Sequence, residues 1–312
     1  MSSIVLALTL LVTPSLLGAS VVRVGARPWE RLGGLLALGG LLPMLVLAAP
    51  WPWVGLPTRW IVLAGGLGCM VVGAGRLART GLRRPARAEL VWLLVGLLLG
   101  PAFGWQAIQA LKGRVPDRAA VALSFPLEGG RFVVGNGGRT PVVNGHGHVR
   151  AQRYALDIEA LGPWGWRASG LYPDKLDAYA VWDAAVVAPC AGEILAATDG
   201  LSDLPPGQVD RVNLAGNHVV LFCEAVAGRG VTVLLAHFRQ GTVAVTATQR
   251  VEVGAALGRV GNTGNTSEPH LHVHAVRGRQ EEFDTVAFLG EAAPMTFDGR
   301  FLVRNDVVAS PR

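Results

Sequence analysis

Hydrophobic and polar residues repeat with different periods in the two halves of this chain. Up to about residue 112, apolar runs cover residues 3–22, 33–50, 58–75 and 89–110. Each approaches the ~20 residues that carry an α-helix across a bilayer, the second and third being the shortest. They predict four membrane-spanning helices. From Gly113 onward the pattern changes to short β-branched runs broken by glycine, proline and asparagine. Strands are predicted at 120–125, 131–134, 154–158, 185–187, 192–197, 218–223, 232–236, 256–260 and 271–276. No long helical periodicity interrupts them. The pattern describes a mainly-β domain over residues 113–312, large enough to bury its own core.

Charge sharpens this division. The chain carries a net +6, yet ten of its 28 Lys+Arg and two of its 22 Asp+Glu precede Gly113. That leaves 18 against 20, a net of −2, for the remainder, so the basic excess belongs wholly to the apolar part. Loops of a membrane protein explain it, and a nucleic-acid surface does not. Arg23, Arg27 and Arg31 fall in the first loop, Arg59 alone in the second, and Arg76, Arg79, Arg83, Arg84 and Arg87 in the third. By the positive-inside rule the first and third loops are cytoplasmic, and everything after about Gln109 lies outside. Trp51, Trp53, Trp60 and Trp105 stand at segment ends, where an interfacial aromatic belt belongs. No basic segment precedes residues 3–19, which argues against a cleaved leader. The apolar runs lack the buried charges of a transport path and read as an anchor in the lipid bilayer.

Cys69 sits in an apolar run as a small filler, whereas Cys190 and Cys223 lie in the outer part, where oxidising surroundings permit a disulfide. Spacing does not decide whether they are bridged. The segment 162–183 holds Trp164, Trp166, Tyr172 and Tyr179 and reads as a loop laid over a surface, either packed on itself or stacking on sugar rings.

All seven histidines fall between residues 146 and 274. In an extended strand, His270 and His272 of Pro269-His270-Leu271-His272 share one face while Leu271 enters the core. Three further elements precede this one: the strand Gln152-Arg153-Tyr154-Ala155-Leu156-Asp157-Ile158, the turn Val187-Ala188-Pro189-Cys190-Ala191-Gly192, and Leu234-Leu235-Ala236-His237-Phe238, a strand ending in histidine. The run Gly258-Arg259-Val260-Gly261-Asn262-Thr263-Gly264 leads into the paired histidines.

Over residues 140–276 this order resembles the lysostaphin/LytM-type zinc metallopeptidases, which cut peptide cross-links in peptidoglycan. The resemblance implies an antiparallel-sheet metallopeptidase domain. It casts Asp157 and His272 as zinc ligands, and His237 and His270 as the two histidines that flank the zinc-bound water. The chemistry is consistent with those roles. Zinc takes neutral imidazole and carboxylate ligands with one position open, and an unligated imidazole titrates near ~6.5 and moves protons.

One position departs from the family. The first ligand is normally a histidine four residues before the aspartate, and Arg153 stands there. A guanidinium has no lone pair to give a metal. The nearest replacements are His146 and His148 in Asn144-Gly145-His146-Gly147-His148, with His146 favoured. Glycines beside both let the segment fold back towards Asp157. His274 shares the face of His270 and His272 and is a weaker candidate for the missing ligand, lying further along the strand, and reads first as a surface residue or one behind the ligands; His218 reads as structural or groove-lining. The expected function is a membrane-anchored zinc endopeptidase acting on peptidoglycan, with its C-terminal domain extracytoplasmic. Two alternatives accompany it: a metal-free relative that binds cell wall or regulates another hydrolase, and a membrane sensor or transport component whose outer domain only docks partners.

Overall fold

The computed structural model describes residues 3–224, 228 and 230–310, with backbone alone for residues 3–9. The chain forms two compact units, Met1–Leu111 and Lys112–Arg312.

The first unit holds four helices: α1 (Ser3–Val22), α2 (Pro28–Ala48), α3 (Thr58–Thr80) and α4 (Arg87–Lys112). Among the described residues, α2, α3 and α4 are long and apolar enough to cross a membrane, and the apolar stretch Leu10–Val22 is shorter. Small residues let helices approach where lipid offers no hydrophobic drive to associate. A Cβ on Gly96 would stand 2.2 Å from the Gly33 carbonyl, and one on Gly40 2.1 Å from the Gly100 carbonyl. Glycines therefore allow α2 and α4 to touch backbone to backbone. Arg31 is buried and donates from Nε to the Val21 carbonyl (3.0 Å) and from Nη2 to the Arg23 carbonyl (3.0 Å), which ties down the end of α1.

The second unit contains β1 (Val121–Leu123), β2 (Gly130–Asn136), β3 (Leu156–Ala160), β4 (Ala185–Val187), β5 (Gly192–Thr198), β6 (Asn217–Cys223), β7 (Val231–Phe238), β8 (Arg250–Val251), β9 (Ala256–Arg259), β10 (Leu271–Arg277), β11 (Ala292–Ala293), β12 (Met295–Phe297) and β13 (Val307–Ser310). The main sheet runs β13-β2-β3-β10-β7-β6-β5-β8, with β11 also on β10. Its neighbouring strands pair antiparallel. The predicted strands recur within one or two residues at most ends. β8, β11, β12 and β13 were not predicted; two to four residues each, they are too short for alternation to stand out.

Alternation divides the sheet into two faces. Leu156 and Ile158, Val219 and Leu221, Val233 and Leu235, and Leu271 and Val273 enter the main apolar core. Their neighbours line the opposite face: Asp157 and Glu159 on β3, His272 and His274 on β10, Leu234 and Ala236 on β7. Register brings His272 opposite Asp157 on one side and Ala236 on the other. Cys190 and Cys223 are disulfide-bonded, with Cα atoms 5.8 Å apart, closing a 33-residue separation over the core.

The segment 162–183 is largely packed on itself. Tyr179 is buried and donates to the Pro173 carbonyl, and Tyr172 donates to the Ser267 carbonyl at 2.6 Å. Trp164 stays 86% exposed, so three of the four aromatics named from sequence are engaged within the fold or half-buried rather than presented as a sugar-stacking face.

Candidate metal centre and active site

Two β-bulges build the centre. The β2–β3 register pairs Val134 with Ile158 and then Asn136 with Asp157, which leaves Gly135 as an extra residue. A Cβ there would sit 2.7 Å from Glu159 Oε1, so glycine suits the position. The bulge re-aims Asn136, whose Nδ2 donates to Asp157 Oδ2 at 2.9 Å. On β7, Ala236 pairs with His218 and Phe238 with Asn217, leaving His237 as the extra residue, at φ +69°. Strict alternation would send His237 into the core beside Leu235; the bulge turns it onto the open face. Such a conformation costs a non-glycine residue on the order of 1–3 kcal/mol and persists where surrounding bonds fix it. Here the His237 amide donates to Ala215 O (3.1 Å), and Nδ1 meets Thr263 O (2.8 Å).

His146 arrives from the loop after β2. Asn144, fully buried, is the hub of that loop. Its Nδ2 donates to the carbonyls of Gly138 (2.9 Å), Arg153 (3.3 Å) and Ala155 (3.1 Å), and its Oδ1 accepts from the His146 amide (3.0 Å). One side chain thus folds the glycine-rich segment onto the start of β3. His146 Nε2 comes to 2.8 Å from Asp157 Oδ2, and His272 Nδ1 lies 2.9 Å from Oδ1. These three form a group with its potential ligand atoms within 4.8 Å of one another, and His237, His270 and His272 form a second. The sequence-named residues His146, Asp157, His237, His270 and His272 therefore converge. His148 does not: it is exposed and lines a different depression with Arg118 and Arg150. Arg153 points away as well, pairing with Asp117 at 2.9 Å.

Hydrogen-bond partners dictate which ring nitrogen each histidine offers, because a carbonyl oxygen only accepts. His237 Nδ1 meets Thr263 O, and His270 Nδ1 meets Glu268 O at 2.9 Å, so both carry the proton on Nδ1 and leave Nε2 for the cluster. His270 Nε2 stands 3.5 Å from Asp157 Oδ1. His274 Nε2 donates to Val286 O (2.9 Å), so its Nδ1 accepts from His272 Nε2 (2.9 Å). A neutral His272 then turns the lone pair of Nδ1 towards Asp157 Oδ1. Two acceptors 2.9 Å apart repel unless a cation lies between them. Two imidazole nitrogens and a carboxylate are also a zinc-type donor set, which keeps one further position open. The residues present fit a zinc ion.

The electrostatics agree. Burial works to raise the Asp157 carboxyl, but the imidazoles of His146 and His270 outweigh it and hold it well below its ordinary value. Burial works to lower His146 and His270, yet Asp157 prevails, raising the first and bringing the second up to about 9. Burial prevails at His237, held well below the ordinary imidazole value, at His272, also lowered, and at His274, down to about 3. The centre draws in positive charge and keeps His274 neutral. One step along β3, Glu159 is buried with Oε2 unpartnered, and burial plus the nearby Glu268 push it up to about 8. Glu268 is held by Arg167 through two bonds of 3.0 and 2.6 Å.

Sequence reasoning missed Glu159, although it lies two residues from Asp157 on the same face. It also missed Asn136 and Arg304, whose Nε donates to the Gly135 bulge carbonyl at 2.9 Å. The apolar side chains of Phe283, Ala287 and Phe288 beside the cluster carried no signal, since five residues of π-helix, Thr285–Leu289, leave no periodic trace.

Residues 176–284, within the second unit, match the model described as Peptidase family M23. The matched stretch takes in His237, His270 and His272 and begins after His146 and Asp157. Among solved structures, the chain is similar to a zinc-containing peptidase from Vibrio cholerae, at 20% identity over 31% of this chain and 24% of that one, with a TM-score of 0.24. It is similar to lysostaphin, at 18% identity over 40% and 37%, TM-score 0.26. It is also similar to the catalytic domain of lysostaphin from Staphylococcus simulans, at 20% identity over 35% and 76%, TM-score 0.22. The chain spans well under half the length of the first two. No curated protein matches the sequence.

Proposed function

We propose that this chain is a membrane-anchored zinc metalloendopeptidase that hydrolyses peptide bonds in peptidoglycan outside the cytoplasm. The apolar helices of residues 1–112, with arginine concentrated in the first and third loops, serve as the bilayer anchor and put the M23 domain on the outer side. The observation that carries the reading is the lone pair of His272 Nδ1 facing Asp157 Oδ1 at 2.9 Å, with His146 on the other carboxylate oxygen. His146, Asp157 and His272 would hold the ion. When bound, zinc polarises a carbonyl and brings the pKa of water towards ~7. The chain's own groups then divide the work. His237 and His270, each fixed through Nδ1 to a backbone carbonyl, present Nε2 as proton acceptor or as donor to the developing oxyanion and the leaving amine. Amide hydrolysis proceeds without a covalent intermediate on the chain.

The test uses full-length protein in detergent, assayed for bound zinc and for release of fragments from purified cell wall. Wild-type protein is expected to hold one zinc per chain, His146→Ala to lose it and His148→Ala to keep it. His237→Ala and His270→Ala should retain zinc and lose wall cleavage by about 100-fold or more. Wild-type protein without stoichiometric zinc overturns the reading.

A further inference from the structure

Two residues that stand out in the sequence take no part in the centre, Arg153 and His148, and the fold brings them together. They line a depression of about 420 Å³ with Arg118, Arg150, Tyr154 and Glu291. The turn Gly145–His148 separates it from the cavity of about 250 Å³ beside the histidine cluster. His146 lines that cavity, His148 lines the depression, and Val149 lines both. We propose that the depression is an anion subsite of the peptidase, binding a carboxylate that the peptide substrate carries two to four residues from the scissile bond. The inference rests on the peptidase reading and deepens it, since it makes the substrate an acidic peptide; it places no demand on the two residues that the scissile bond joins.

Charge at the depression runs against that of the domain around it. Residues 113–312 carry a net −2, yet here five arginines meet two acids. Asp117 is shared by Arg118 (3.9 Å), Arg139 (3.6 Å) and Arg153 (2.9 Å), and Glu291 by Arg118 (2.9 Å) and Arg277 (3.6 Å). Arg150 is exposed and pairs with no acid among the described residues. The excess of positive charge favours an anion in the depression.

Geometry suits a carboxylate near the centre. A guanidinium presents a fork of N–H donors that matches two carboxylate oxygens. The Arg153 guanidinium is steadied by Asp117 Oδ2, while the other oxygen of that carboxylate accepts from the Tyr154 hydroxyl, and it lies 5.6 Å from the centre of the Tyr154 ring. The side chains of Arg118 and Arg153 stay 38% and 42% exposed, so their unused donors are within reach of solvent. Val149 is three residues from His146, at most ~11 Å of chain. An extended substrate advances ~3.3 Å per residue, so a carboxylate about three residues from the bond at the centre reaches the arginines. A peptide held there carries its negative charge as carboxylate, on acidic side chains or at its free end.

The experiment uses zinc-loaded, full-length protein in detergent micelles and short glycine–alanine peptides whose cleavage is followed by chromatography. Glutamate, or glutamine as its uncharged counterpart, stands two, three or four residues to either side of the scissile bond. A parallel pair ends in a free or an amidated carboxyl, which separates the side chain from the chain end as the source. At one of these positions the carboxylate should raise kcat/KM about 10- to 100-fold, chiefly through KM, the size that hydrogen bonds to a charged group give. The gain should shrink in about 0.5 M salt. Arg150→Glu should keep its zinc, erase the preference for glutamate and turn it towards lysine. Arg153→Gln should reduce the preference as well; the wild-type comparison and Arg150→Glu decide even where that variant folds poorly. Equal kcat/KM for acid and amide at every position, or a preference that survives Arg150→Glu unchanged, overturns the subsite and leaves the peptidase reading intact. Inhibition by inorganic phosphate with no preference among the peptides overturns it too, and assigns the depression to phosphate. Failure to cut any peptide or purified wall overturns the peptidase reading, and the subsite with it.

Discussion

Replacing His274 with phenylalanine is expected to weaken zinc binding although His274 itself touches no ligand atom of the ion. In the wild-type protein the path from carboxylate to backbone runs Asp157 Oδ1, His272 Nδ1, His272 Nε2, His274 Nδ1, His274 Nε2, Val286 O, with each of the three contacts between residues at 2.9 Å. The Val286 carbonyl fixes the proton of His274, and His274 in turn fixes the proton of His272 on Nε2. Phenylalanine fills the volume and accepts nothing. His272 then has two options, both costly. It keeps its Nε2 proton, a buried donor without a partner, at about 1–3 kcal/mol. Otherwise it moves the proton to Nδ1 and donates to Asp157, and zinc must displace that bond before it binds. Either route amounts to a loss of roughly 5- to 150-fold in affinity, which overlaps the ~10- to 100-fold typical of groups behind a metal ligand.

A chelator-competition titration on full-length protein in detergent measures this directly, with the thermal midpoint of the metal-free protein as the control for folding. His274→Gln is the rescue: its amide oxygen accepts from His272 and its NH2 donates to Val286. Cobalt substituted for zinc gives a visible spectrum sensitive to ligand geometry, and the phenylalanine variant should alter it while glutamine preserves it. If His274→Phe holds zinc within about twofold of wild type, or if His274→Gln loses as much as His274→Phe, the chain of protons is not what orients His272.

Two other perturbations test the surroundings. Glu159, pushed up to about 8 by burial, keeps a proton in the folded state over a range where the unfolded chain has lost it. The folded state then binds more protons, so stability is greatest below the ordinary glutamate value and falls as pH rises towards about 8, by at most ~1.4 kcal/mol per pH unit. Glu159→Gln should flatten that fall in thermal-midpoint measurements made in the presence of chelator; a wild-type profile already as flat would refute it. Removing the Cys190–Cys223 bridge with paired alanines should cost about 3–4 kcal/mol by the loop-entropy relation for its 33-residue separation, read as a lower denaturation midpoint with zinc stoichiometry unchanged. A midpoint equal to that of the wild type would show that the closed loop is constrained by other contacts.

How far the sequence carries depends on what each residue's position obeys. Alternation alone puts Asp157, His272 and Leu234 on one face and Leu156, Val273 and Leu235 on the other, so the sheet, its core and two members of the centre are legible without coordinates. His237 is not, because counting along β7 sends it inward; only the mismatch of one residue between β6 and β7 turns it out. The resemblance cast His237 as a histidine flanking the zinc-bound water but offered no reason for its direction. The position of Arg153 resolves by similar means. It precedes the first residue of β3, Leu156, and its side chain reaches Asp117. His146 comes beside Asp157 instead because the buried Asn144 binds three carbonyls at once, a contact that composition cannot reveal. The nitrogen that each histidine presents is further still from the sequence. It depends on the carbonyls of Thr263, Glu268 and Val286, main-chain groups that every residue carries and that only the fold brings within reach. Residue types along the chain therefore identify which groups meet, whereas bulges and backbone acceptors decide how they meet, and it is the second that sets His272 Nδ1 against Asp157 Oδ1 across 115 residues of chain.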